Sequence, residues 1–280
     1  MSERTTMSEM PELSVDPEIP LISSSGDPVV GTEFSAPAQP KSGARPWGPW
    51  ATISWTLLCI CVLFAAQIAA AIFFALFRVA TTGNMKVDDL GTNGNLIALA
   101  TVFSTSATIG LIALLVYIRG YAYRDYLALY WPSGRQALIA LLGLTVLLVA
   151  TDATSYFLGK PLVPTFMVPV YQSSWLPALL LALVVLAPLG EETLFRGFLY
   201  KGLAASRGGA VLAIFISSIT FALLHAFQYD LYAVAGVTAM GFLLGYIRYR
   251  SGSLLLTMLL HAVGNAVATL ELIVQEHWLK

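Results

Sequence analysis

Trp175-Leu-Pro-Ala-Leu-Leu-Leu-Ala-Leu-Val-Val-Leu-Ala-Pro-Leu-Gly-Glu-Glu-Thr-Leu-Phe-Arg-Gly-Phe-Leu-Tyr200 is an almost unbroken apolar run in the second half of the chain. It has the length and apolar character of a membrane span, yet it carries two adjacent acids, Glu191 and Glu192. An acidic residue at the centre of a membrane helix costs roughly 2.5–3.5 kcal/mol on insertion scales. Two in a row are not there for packing. They are expected to face a protein interior or a wet cavity and to do chemistry. Arg196 follows Glu192 by four residues, one helical turn, and so can hold a carboxylate in its charged form.

Further apolar runs of spanning length fall near 50–78, 95–118, 136–158, 210–228, 232–250 and 253–275. With the run at 175–203 they predict an all-α, polytopic membrane bundle of about seven transmembrane helices. An eighth, short element is open within Pro161–Ser174, whose prolines and aromatics suit an interfacial or re-entrant stretch. Composition agrees: 57% of the 280 residues are hydrophobic and 11% charged, where soluble domains carry about 25% charged residues. A net charge of −1 gives no electrostatic case for nucleic acid. Cys59 and Cys61 point to different sides of one helix, which excludes a disulfide framework. Gly241 and Gly245 form a small-xxx-small pattern suited to close helix packing.

Residues 1–46 differ from the rest. Seven acids stand there against three bases amid Ser, Pro and Thr. This composition predicts a disordered cytoplasmic tail, leaving 47–280 as the integral membrane domain. No basic start precedes a short apolar core, so a signal peptide is not expected. The Lys and Arg distribution sets orientation. With the N-terminus inside, eleven of the fifteen cations lie on the cytoplasmic side, as the positive-inside rule requires.

Polar residues of the second half gather at three places: Glu191-Glu192-Thr-Leu-Phe-Arg196, Phe221-Ala-Leu-Leu-His225 and His261-Ala-Val-Gly-Asn265. At 1.5 Å per residue, Glu191 lies about 18 Å from Leu203, His225 about 22 Å beyond Ala210, and His261 and Asn265 about 12 and 18 Å beyond Ser253. The groups land at similar depth. A single histidine in a membrane helix is more often a packing residue. Two histidines, two glutamates, an arginine and an asparagine at one depth read as a site. His277 reads as a solvated or interfacial residue, Asp152 as an acid near a helix end that reaches headgroups, and Tyr121, Tyr123, Tyr126, Tyr130 and Trp131 as an interfacial belt.

Glu-Glu-x-x-x-Arg, then Phe-x-x-x-His, then His-x-x-x-Asn, in order on successive apolar helices, resembles the three-motif signature of the CAAX protease and bacteriocin-processing (CPBP, or Abi) intramembrane proteases. The resemblance covers Trp175–Leu272, the expected catalytic core. It implies an intramembrane endopeptidase in which Glu191 and His225 activate a water, while His261 and Asn265 donate hydrogen bonds to the oxyanion. Glu192 with Arg196 is then the structural pair that holds this geometry. The family has also been described as metal-dependent, and a zinc version would draw on Glu191, His225 and His261. The chain has no His-Glu-x-x-His, and those residues come from separate helices, which favours hydrolysis without a cofactor. Neither a Gly-x-Ser-x-Gly elbow nor a Gly-x-Gly-Asp motif is present.

Two other classes stay in view. A proton-coupled transporter would use the same acids and histidines as a relay, but transporters usually carry broken helices in both halves. A catalytically silent bacteriocin-immunity protein would not need the motifs intact. The expected partners are the lipid bilayer and a peptide or protein at the membrane, either CAAX-terminated or a leader peptide. Ten Arg against five Lys hint at a GC-rich bacterium, hence the cytoplasmic membrane.

Overall fold

Helix α1 (Pro49–Thr82) begins on a proline in its first turn and ends at Gly83, whose φ of +68° supplies the left-handed cap. In the computed structural model, which describes residues 47–83 and 87–278, it is followed by a 3₁₀ turn, Val87–Thr92, and α2 (Gly94–Ile118), capped by the Asn93 side chain on the Leu96 N–H. A short α3 (Tyr123–Leu127) leads to α4 (Gly134–Phe157), which opens on a Ser133/Gln136 capping box. Then come α5 (Met167–Gln172), α6 (Leu176–Ala204), α7 (Gly209–His225), α8 (Leu231–Ser251) and α9 (Leu254–Trp278). Among the described residues there are no strands. The tail expected at 1–46 lies outside them.

Six of these helices, α1, α2, α4, α6, α8 and α9, are long and apolar enough to cross a membrane. The protein is therefore a polytopic helical membrane bundle. Their outward faces carry large apolar side chains, among them Leu57, Ile68, Leu76, Leu138 and Val146. An apolar surface this extensive is stable against lipid and not against water. The seventh expected span is shorter than its apolar run. α7 has 17 residues, about 26 Å, and stops at His225 rather than near 228. The chain turns there toward Asp230, whose carboxylate caps α8 on the Ala233 N–H at 2.8 Å. Non-helical backbone at membrane depth is tolerated where it lines a cavity, and Gln228, Tyr229 and Asp230 do so. The open segment 161–174 contains α5, tied to α9 by Tyr171 to exposed His277 at 2.9 Å and Gln172 to Glu276 at 2.7 Å.

α6 is the axis of the bundle. Glu192 through Tyr200 are buried on every side, the pattern of a helix enclosed by others. Around them pack Cys59 of α1, Ile112 and Leu115 of α2, Phe221 of α7 and Leu254 of α9. Cys61, on the other side of α1, is exposed. The tyrosine belt divides. Trp131 is exposed, but Tyr126 is fully buried and its ring lies 6.0 Å from that of Phe198. It is a core residue because α3 folds back under α6. The Gly241 and Gly245 face of α8 packs on α7: a Cβ at Gly241 would sit 3.3 Å from Ser218, and one at Gly245 3.1 Å from Ile214.

The α1–α6 contact is closer still. A Cβ at Gly202 would overlap Thr52 Oγ1. Gly202→Ala is expected to force the two helices apart and cost about 1–3 kcal/mol. Gly110 has nothing within 4 Å of its missing Cβ, so Gly110→Ala should be neutral or stabilising by helix propensity. Thermal unfolding of the two purified variants side by side checks this. Equal midpoints would refute the close contact.

Candidate active site

Two π-helical turns interrupt α6, at Leu181–Leu186 and Thr193–Leu199. The first precedes Pro188, which has no N–H to offer and whose ring would clash with the carbonyl four residues back. Widening the helix relieves this. The Ala187 N–H reaches the Ala182 carbonyl, five residues back, and the Leu183 carbonyl instead accepts Asn265 Nδ2 from α9 at 2.8 Å. The second turn repeats the pattern. The Tyr200 N–H takes the Phe195 carbonyl, and the Arg196 carbonyl accepts Arg248 Nε from α8 at 3.1 Å. Each π turn thus gives up a backbone acceptor that a side chain from another helix satisfies.

The two glutamates face different surroundings. Glu192 is fully buried, and its Oε1 accepts from Arg196 Nη1 at 2.8 Å and His261 Nδ1 at 3.0 Å. Arg196, equally buried, gives Nη2 to the Gly241 carbonyl at 3.0 Å and lies 4.6 Å over the Phe221 ring. The side chain of Glu191 is 25% exposed and opens into a cavity of about 910 Å³. Since a carboxylate accepts, the His261 proton sits on Nδ1, toward Glu192. Nε2 then faces Glu191 Oε2 across 3.7 Å.

His225 ends α7. Its Nδ1 donates to the Phe221 carbonyl at 2.9 Å, which fixes the tautomer and leaves Nε2 as the free nitrogen. Tyr229 stacks on the imidazole, with centroids 5.7 Å apart and planes 18° from parallel, and Phe166 packs edge-on against Tyr229 at 5.3 Å. The cavity brings Glu191, His225, His261 and Asn265 together, with Glu192 and Arg196 behind them. Asn265 has one amide proton committed to Leu183, a partner the sequence could not name. Asp152 lines the same cavity with Glu271, so it faces protein rather than headgroups alone.

Several neighbours escaped the sequence reading. Tyr229 lies four residues beyond His225, a spacing that could have flagged it. Arg248, read as a cation at the cytoplasmic end of its helix, is only 5% exposed. Phe221, a motif residue, contacts Arg196, His225 and His261 at once. Among the described residues no three His, Cys, Asp or Glu side chains converge to hold a metal ion. His261 Nδ1 donates to Glu192 and His225 Nδ1 to the Phe221 carbonyl, so each imidazole keeps its Nε2 free for a proton or a ligand.

Residues 173–267 match the Rce1-like family, the type II CAAX prenyl endopeptidases. The matched segment contains all three motifs, and the resemblance read from them is to that same group of proteases. A protein of Escherichia coli described as an uncharacterized 24.3 kDa protein is 32% identical over 122 residues, covering 41% of this chain. The chain spans 56% of that relative's length. No solved structure matches the chain.

Proposed function

We propose that this chain, from its Rce1-like segment, is an intramembrane endopeptidase that hydrolyses a peptide bond of a membrane-associated protein or peptide. One observation carries the reading. Of the adjacent glutamates, only Glu191 opens into the cavity, while Glu192 is locked behind it by Arg196 and His261. That division suits one reacting carboxylate and one that positions.

In the proposed reaction a water rests between Glu191 and the free Nε2 of His225. Glu191 takes its proton as the oxygen attacks the peptide carbonyl carbon. The developing oxyanion is stabilised by His261 Nε2–H and by the amide proton of Asn265 not used by Leu183. Donation from Nε2 uses the imidazole with a proton on each nitrogen, Nδ1–H toward Glu192 and Nε2–H toward the oxyanion. Collapse of the tetrahedral intermediate breaks the C–N bond, and the proton held by Glu191 passes to the leaving amine. Arg196 and Glu192 fix the position of His261.

The hydrolysis is proposed to proceed without a metal, because Glu191, His225 and His261 come from three separate helices with no local pair of ligands, and Asn265, one turn from His261, suits an oxyanion donor better than a zinc ligand. Exhaustive chelation is expected to leave turnover within about twofold, against losses of 10²-fold or more typical when a catalytic group is removed. Zinc bound stoichiometrically, lost together with activity and regained with it, would reverse this choice. The proposed setting is a bacterial cytoplasmic membrane with the N-terminus inside, supported by the placement of Lys and Arg. The substrate class proposed is a CAAX-terminated or leader peptide presented at the membrane. Mapping of cleavage sites by mass spectrometry, comparing the wild type with Glu191→Ala, tests the reading. Identical peptide patterns from the two would sink it. A proton-coupled transporter is not favoured, since the acids and histidines cluster in one half.

A further inference from the structure

Two cations at the ends of α6 and α8 take no part in the proposed hydrolysis. Lys201 lies three residues before the end of α6, and Arg248 three before the end of α8. Arg248 is 5% exposed, with its guanidinium 5.3 Å over the Tyr200 ring and its Nε on the Arg196 carbonyl. Among the described residues no carboxylate forms an ion pair with it. Lys201, half-buried, directly follows Tyr200, the residue whose ring the Arg248 guanidinium covers. An enclosed cation without a counter-ion is strongly disfavoured, and a second one beside it adds to the cost. The chain leaves this charge uncompensated at one level, the ends of two packed membrane helices. Tyr249, Arg250 and Arg207 are exposed at those same ends. A membrane helix ends where hydrocarbon gives way to headgroups.

We propose that Arg248 and Lys201 form a site for the phosphate of an anionic phospholipid headgroup. The guanidinium keeps both Nη groups for phosphate oxygens while Nε holds the backbone, and the lysine supplies a second charge from the neighbouring helix. A consequence follows for the catalytic centre. Arg248 satisfies the carbonyl that the second π turn releases, and that carbonyl belongs to Arg196. The same arginine holds Glu192, which holds His261. A bound lipid would therefore steady the π turn on which the carboxylates are mounted. The binding stands apart from the hydrolysis; only its effect on turnover rests on the proposed function.

The test uses the full chain, purified without substrate and placed in nanodiscs of phosphatidylcholine alone or with a minor share of phosphatidylglycerol. Thermal midpoint and lipid retained in native mass spectrometry are read. The wild type is expected to gain several degrees with the anionic lipid and to retain it, while Arg248→Gln and Lys201→Gln lose most of that gain and Arg250→Gln keeps it. Should Arg248→Gln not fold, Lys201→Gln carries the comparison. An equal gain in wild type and Lys201→Gln, or no gain in wild type, overturns the site. So does a full shift from inorganic phosphate added to phosphatidylcholine discs, which would assign a free-phosphate site. A shift given by a peptide with a free C-terminal carboxylate, and not by anionic lipid, would assign a peptide site instead. Neither readout involves peptide cleavage, so failure of the hydrolytic reading leaves this outcome intact.

Discussion

Glu191→Gln is expected to lower peptide cleavage by about 10²–10⁴-fold, the usual worth of a general base, while the protein stays folded and inserted. Glutamine keeps the size and shape of the side chain and its place at the cavity wall but cannot take a proton from water. Glu191 lies 3.7 Å from His261 Nε2 and is 25% exposed, so the change leaves the Glu192–Arg196 ion pair standing. Glu192→Gln is the contrast. It weakens contacts to Arg196 and His261 at once and should lower stability along with activity. Steady-state cleavage by purified, folded protein, with the thermal midpoint measured on the same sample, separates the two. Near-normal turnover by Glu191→Gln would end the proposed mechanism.

That Glu191, His225, His261 and Asn265 would line one cavity was legible in the sequence because charge in a membrane helix is expensive and must be explained. The internal wiring of the site was not. The His261 contact with Glu192 joins residues 69 apart, and the Asn265 bond to Leu183 joins residues 82 apart. No spacing rule reaches that far. Pro188 marks a fault in α6, yet a fault alone does not say whether the helix kinks or widens. The choice depends on a donor being available for the released carbonyl, and Asn265 supplies one from α9. Arg248 does the same at the second turn. Its charge placed it at the cytoplasmic end of its helix, and no local pattern says that the guanidinium lies over Tyr200 with Nε on the Arg196 carbonyl.

The helices themselves were legible from the length of their apolar runs. The errors fall where apolar residues continue past the point at which the backbone stops being helical. Phe227 extends the hydrophobic run, but α7 ends at His225 because the next turn is committed to the Asp230 cap of α8. Tyr126 looked interfacial because tyrosines favour that boundary. It is buried because the link that carries it is anchored: the Leu254 N–H bonds the Ala128 carbonyl and Ser253 Oγ bonds the Tyr130 carbonyl. Burial of a link follows from tertiary contacts that local composition does not encode.

Arg196→Ala is expected to cost folding stability as well as activity. Its guanidinium gives one nitrogen to Glu192 at 2.8 Å and another to the Gly241 carbonyl at 3.0 Å, and its Cζ lies 4.6 Å over the Phe221 ring. Removing it strands a fully buried carboxylate, a loss of about 3–5 kcal/mol. The carbonyl of Gly241 loses its donor, and His261 loses a fixed partner because Glu192 is free to turn. Arg196→Lys should recover only part of this. Lysine restores the charge but not the planar fork that reaches α8 and Glu192 together. A lowered thermal midpoint in the order wild type, lysine, alanine, with cleavage falling in the same order, is the expected result. If Arg196→Ala unfolds at the wild-type temperature and loses turnover alone, the arginine acts on the substrate, and the Glu192–His261 support must come from elsewhere in the bundle.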